Sequence, residues 1–305
     1  MFLRRRRITF FVAAALLTAL VPSGLGKTEP TTGFDGRIAF VARTGETADL
    51  FVMHADGTRR HQLTHDAREE GGPTWSPDGK SIGVIATAFN LGGPSQGEAV
   101  SSISVMSANG TGRRRLFSAR SPQLPFYDLA WSPRGGELAF TWARNGGLEV
   151  WLLRLNGNIA RLTSTWGQHP SWGPDGKRLA YAALKGIVVV NVATRKTHRV
   201  RGTAKSACPL WSPNGKWIAV CSKATARAKE YSAIEILTPS GSRRQRLISG
   251  AGMFPVAWAP QSNAILFLKG DETMGRRLFV VSLRDGHVTS VPGTEGAIGS
   301  ASWHR

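Results

Sequence analysis

Six tryptophans each open the same short turn, and their spacing narrows the folds open to this chain more than any other feature. Trp75 begins WSPDGK, Trp131 WSPRGG, Trp172 WGPDGK, Trp211 WSPNGK and Trp258 WAPQSN, while Trp303 begins a copy cut short as WHR. The intervals between them run from 39 to 56 residues. A unit of that size cannot bury its apolar face alone, so copies must stack against one another. The remainder of the sixth copy lies near the other end, where Asp35-Gly36-Arg37-Ile38-Ala39-Phe40 reads like the segment Asp78-Gly79-Lys80-Ser81-Ile82. A repeat split between the two ends implies a closed ring.

Within each repeat apolar residues alternate at period two, which argues strand over helix. The copy around Trp172 is the most compact. His169 to Trp172 reads as a first strand, Arg178 to Ala183 as the second, Gly186 to Asn191 as the third and Lys196 to Val200 as the fourth. Turn chemistry supports the division: Pro presets the first corner, Asp or Asn tolerates the second, and Gly supplies positive φ. A second turn recurs between the third and fourth strands, at Ala55-Asp56-Gly57, Ala108-Asn109-Gly110, Asn156-Gly157, Ser240-Gly241 and Asp285-Gly286. The fourth copy has Ala193-Thr194-Arg195 instead. The fold class is therefore all-β: a six-bladed β-propeller of four-stranded antiparallel blades, closed where the Trp303 strand pairs with the strands that begin at Arg37. That pairing removes a free sheet edge. Blade two holds Trp75, blade six holds Trp258, and Trp303 completes blade one. The tryptophans themselves are expected to be packing.

Residues 1–34 differ in character. Arg4 to Arg7 precede a 14-residue apolar run, Ile8 to Val21, which Pro22 ends. The pattern is expected to be a secretory signal peptide over 1–26, followed by a linker over 27–34 and the propeller over 35–305. The run is short for a membrane span, and an uncleaved anchor is the alternative. Export places the chain in a periplasm, a cell envelope or outside the cell. The whole chain carries +19, and losing residues 1–26 removes four arginines and no acid, leaving +15. An exported basic surface points to anionic wall polymer or lipid headgroups before nucleic acid, for which no motif is present.

Cys208 and Cys221 flank one turn, and in an exported chain such a pair reads as a disulfide. Register decides it. A two-residue Asn214-Gly215 turn sets the cysteines opposite each other. A type I turn with a left-handed Gly215, which Pro213 favours, shifts the pairing by one and leaves two buried thiols. Both stay open.

WSPDGK followed by an apolar strand, a D-G turn and an outer strand ending in Leu-Thr (Leu63-Thr64, Leu162-Thr163) resembles the repeat of the TolB-type propeller family across residues 35–305. The resemblance implies the scaffold. TolB carries an α/β domain before its propeller that residues 27–34 cannot supply, so TolB's role in the envelope Tol–Pal machinery is not implied.

If each first strand runs down the axis, the two kinds of short turn share one face. The second-to-third loops and the inter-blade loops share the other. The variable loops fall on that second face: Ala88 to Ala99 in blade two, Lys223 to Glu230 in blade five and Gly270 to Gly275 in blade six. Residues just before the inner strands rim the channel mouth, and the candidates are Glu69, Glu70, Tyr127, Asp128, Trp166, Gln168, His169 and Phe254. Carboxylates, an imidazole and aromatic rings converging on one funnel suit a peptide segment or a small polar ligand. For any single residue, backbone hydrogen bonding in a crowded mouth is the alternative. Glu69, Glu70 and Asp128 could coordinate Ca²⁺ there, though nothing fixes ligand number or geometry.

Arginines gather where outer strands begin, at Arg59-Arg60, Arg113-Arg114-Arg115, Arg195-Lys196 and Arg243-Arg244 with Arg246. They either protect exposed strand edges or form a girdle facing an anionic wall. No phosphate-cradling Gly loop occurs, and His61 and His65 fall on an outer strand and its loop. The chain reads as a monomeric, non-enzymatic scaffold without a resident cofactor, binding a protein or peptide of the cell envelope. A hydrolase or lyase at the mouth, and a wall-polymer or carbohydrate binder, are the runners-up.

Overall fold

The computed structural model describes residues 33–89, 99–121, 125–164, 166–223, 225, 230–270 and 276–305. The expected signal peptide, most of the linker and the tips of the three variable loops lie outside these residues. In blade four, Gln168–Trp172 pairs with Arg178–Ala183, that strand with Gly186–Asn191, and that with Thr197–Arg199, all antiparallel. Five further four-stranded sheets repeat the pattern, and no helix occurs among the described residues. Strand Ala297–His304 pairs with Arg37–Thr44. Blade one is therefore built from both ends of the repeat, and the six sheets form a closed six-bladed propeller.

Each inner strand enters its turn in the same way. In blade two the Ser76 N–H donates to Ser81 O and the Gly79 N–H to Ser76 O, both at 2.9 Å. Asp78 Oδ1 accepts from the Ser76 hydroxyl at 2.6 Å. Gly79 sits at φ 67°, and a Cβ there would fall 2.6 Å from the His304 ring. Glycine is thus required twice over, by conformation and by the closeness of the closing strand.

Every interface between neighbouring blades contains an apolar cluster, and each cluster holds one of the six tryptophans at 5–9 % exposure. The spacing of the tryptophans is the spacing of the interfaces. Their indole N–H groups alternate in what they bond. Trp75, Trp172 and Trp258 donate across the interface to Ser302, Ala130 and Leu210 oxygens of the preceding blade. Trp131, Trp211 and Trp303 donate to their own turns, at Gly135, Gly215 and Asp35.

A bulge interrupts the inner strands of blades two to five, three residues ahead of the tryptophan. Gly72, Asp128, His169 and Cys208 take left-handed φ values of 57°, 54°, 53° and 53° there. Pairing with the second strand slips by one at each. This places the cysteines in a way that neither expected turn describes. The turn is a four-residue loop, 213–216, closed by the Ser212 N–H on Trp217 O, and it keeps Trp211 opposite Ile218. The slip comes from the strand: Ala207 faces Cys221, and left-handed Cys208 turns its side chain across to it. Cys208 and Cys221 are bridged, with Cα atoms 5.7 Å apart.

Candidate functional site

The inner strands enclose a cavity of about 1170 Å³ along the ring axis. It runs from Arg43, Glu69 and Arg276 at the variable-loop end to Pro77, Pro133, Pro174 and Pro213 at the turn end. Three of the bulge residues on its wall, Asp128, His169 and Cys208, hold a left-handed backbone without being glycine. Each such residue costs about 1–3 kcal/mol and persists only where surrounding structure fixes it. The strain of the inner strands is therefore concentrated on the funnel.

Asp128 and His169 occupy the same bulge position in adjacent blades, and there they meet. His169 Nδ1 lies 3.0 Å from Asp128 Oδ1. The other carboxylate oxygen accepts from Thr141 Oγ1 at 3.1 Å and from the His169 N–H at 3.3 Å. Burial by itself would raise the Asp128 carboxyl and lower the His169 imidazole. Their mutual charge and hydrogen bonds outweigh burial, so Asp128 titrates below its ordinary value and His169 above it. No described residue bonds Nε2, and the imidazole is 35 % exposed on the funnel wall.

The other candidates separate into those on the wall and those off it. Glu69, Tyr127 and Phe254 line the funnel. Glu69 lies 3.9 Å from Arg43, and Phe254 packs edge-on against Tyr231 at 5.8 Å. Burial, with the Asp128 charge beside it, pushes the Tyr127 phenol up. Trp166 and Gln168 are not part of the wall. The Gly167 N–H between them donates to Leu148 O at 2.8 Å, which ties that loop to the third strand of blade three.

Glu70 needs correction. Its carboxylate is fully enclosed and gripped by both terminal nitrogens of Arg113, at 2.6 and 3.1 Å. Burial raises its carboxyl despite the guanidinium. Glu70 is on the funnel wall, but by its main chain, since its side chain has no exposed surface, and Arg113 is its partner and not a girdle charge. The three carboxylates considered for Ca²⁺ thus face three different cations, Arg43, Arg113 and His169. Among the described residues no group of three metal-ligating side chains gathers. Sequence reasoning passed over Arg43 and Arg276, which reach the mouth from the second-to-third hairpins of blades one and six.

A closed six-bladed ring with an axial funnel defines the structural class, and comparison with known proteins supplies the family. The chain matches the TolB beta propeller domain over residues 28–305 and belongs to that family. Over 135 residues it is 27 % identical to the Tol-Pal system protein TolB of Desulfosudis oleivorans, covering 44 % of this chain and 28 % of that protein. Over 161 residues it is 29 % identical to the uncharacterized peptidase YuxL of Bacillus subtilis, covering 51 % and 22 %. The chain spans only a minor part of the length of these relatives. The crystal structure of TolB from Acinetobacter baumannii is similar with a TM-score of 0.73 at 19 % identity, covering 88 % of this chain and 66 % of that one. At that identity the likeness is one of fold.

Proposed function

We propose that the chain is an exported, non-enzymatic scaffold that engages a protein or peptide of the cell envelope at the variable-loop end of its funnel. The mouth carries this reading. On one rim stand the exposed Tyr127 phenol, the Phe254 ring, the Arg43 and Arg276 guanidiniums, the Glu69 carboxylate and the His169–Asp128 pair. Unlike groups held on a rigid ring recognise a shape with little ordering entropy lost on binding. Family membership and the similarity to a Tol-Pal system protein support an envelope partner. The test is a pull-down from envelope extract, comparing the wild type with Arg43→Ala/Tyr127→Ala/Phe254→Ala. We expect the triple variant to lose a partner that the wild type captures. An unchanged set of captured proteins would remove the mouth as the site.

A second reading rests on the His169–Asp128 pair alone, which has the arrangement of a general base oriented by a carboxylate. It would make the funnel a hydrolase or lyase. Turnover of model esters, amides or uronides that disappears in His169→Asn would replace the scaffold reading.

A further inference from the structure

Blade four departs from the repeat at one turn, and that turn borders a second cavity. Between the third and fourth strands, the other five blades place a glycine in the left-handed region: Gly57, Gly110, Gly157, Gly241 and Gly286, with φ from 71° to 92°. Blade four has Arg195 there, at φ 62°. A β-carbon is strained in that region, so the turn itself gives no reason for an arginine. Its Nη1 lies 3.5 Å from Leu162 O of blade three, at the lip of a cavity of about 540 Å³. This cavity sits between blades three and four and shares no wall residue with the axial funnel.

The groups facing it are donors. Arg161 and Arg195 bring guanidiniums, and Ser164, Thr197 and Tyr181 bring hydroxyls. Tyr181 is only 6 % exposed and is part of the cavity wall. Burial pushes the Tyr181 phenol up, and the nearby Arg199 charge opposes the shift, although the Arg199 guanidinium bonds Lys185 O and is not part of the cavity wall. Arg161 is paired with Glu149 at 2.8 Å. Among the described residues, Arg195 and Arg199 have no acid partner. The site therefore keeps a net positive charge, hydroxyl donors from Ser164, Tyr181 and Thr197, and an apolar wall formed by Leu162, Val190 and the Tyr181 ring.

We propose that this cavity is an oxyanion site that takes the phosphate of a phosphate ester, with Arg161 and Arg195 on its charge and the Tyr181 and Thr197 hydroxyls on its oxygens. A carboxylate confines its acceptor directions to one plane. A tetrahedral phosphate accepts from several directions, and guanidiniums match its geometry. The ester is either a small soluble molecule or a lipid headgroup.

The test is calorimetric titration of the full chain with inorganic phosphate and with glycerol 3-phosphate. Sedimentation with phosphatidylglycerol vesicles, and with phosphatidylcholine vesicles as control, runs beside it. Arg195→Gly restores the glycine that the other blades use, and Tyr181→Phe keeps the ring, so both variants retain the fold, which thermal melting verifies. We expect saturable binding by the wild type, weakened about tenfold in Arg195→Gly and less in Tyr181→Phe, as loss of charged and neutral hydrogen bonds requires. Vesicle binding that falls in both variants assigns the ester to a lipid headgroup. Free glycerol 3-phosphate binding that falls while vesicle binding does not assigns it to a soluble ester. Absence of saturable phosphate binding, or affinities unchanged in both variants, would overturn the proposal.

Discussion

Blades two and five stand opposite each other in the ring, and they fasten their outer strands through a buried carboxylate where the other four use a buried hydroxyl. In blades one, three, four and six the outer strand is short, as in His61–Gln62 and Thr197–Arg199. A buried threonine follows it (Thr64, Thr163, Thr203 or Thr294), whose oxygen accepts a backbone N–H of the third strand at 2.9–3.0 Å. Blades two and five have longer outer strands, Arg114–Ser121 and Arg244–Ser249, with no such threonine after them. Instead, an arginine at or just before the start of each reaches a buried carboxylate. Arg113 holds Glu70, and Arg244 with Arg246 holds Glu235. These two blades also carry the longest insertions after their second strands. A hydroxyl in the wall of a short hairpin is a small, local contribution. A buried ion pair is far less tolerant, because either partner left alone is an uncompensated charge.

Breaking that charge pair is the largest test of the difference. Glu70→Ala should lower the unfolding free energy in urea by about 3–5 kcal/mol, since it strands Arg113. Glu70→Met/Arg113→Met should recover most of that loss. A single substitution that costs no more than a surface change would show the pair to be dispensable. Next comes the bridge that only blade five has. Cys208→Ala/Cys221→Ala releases a loop closed over a separation of 13 residues and should cost about 3 kcal/mol by the same measurement. In the hydroxyl-fastened blades, Thr294→Val should cost about 1–2 kcal/mol, the penalty of one buried N–H losing its acceptor. Parity with Glu70→Ala would erase the distinction between the two kinds of blade.

Acid should separate the two charged blades from each other. Burial raises the Glu70 carboxyl, so the folded chain takes up that proton more readily than the unfolded one, and acid favours the fold at this site. Burial would also raise Glu235, but hydrogen bonds from Arg244, Ser222 and Arg246 and the Arg244 charge leave it lowered. Its contribution is present above the unfolded value of about 4.3 and is lost as pH falls through the lower folded value. Glu235→Gln should therefore flatten the fall of Tm in acid, and Glu70→Gln should not. The smallest effect belongs to Arg195→Gly, which relieves a left-handed arginine but loosens the unfolded chain. Its net change should stay within about 1 kcal/mol, and a larger loss would mean that Arg195 supports the fold.

The ring was legible because its signals are local: a tryptophan to pack, a proline and a glycine to turn, repeated at blade length and split between the ends. The mouth was legible as a region, since strand direction alone puts those loops on one face. The pairing of Asp128 with His169 was present in the sequence but went unread. Aligning the copies on their tryptophans places Gly72, Asp128, His169 and Cys208 at one position, and the glycine hints at the backbone that all four adopt. Glu70 was not legible. A one-residue slip in a strand exchanges the two faces, so whether its carboxylate meets the axis or the interior depends on a bulge that Gly72 hints at without fixing its register.

The most direct measurement uses a photo-crosslinking side chain at position 127, on the funnel mouth, with one at exposed position 216, on the turn face, as its counterpart, in cells that make the protein. We expect a discrete envelope-protein adduct from position 127 and none from position 216. Adducts from position 216 alone, or from neither position, would contradict the funnel mouth as the end that binds.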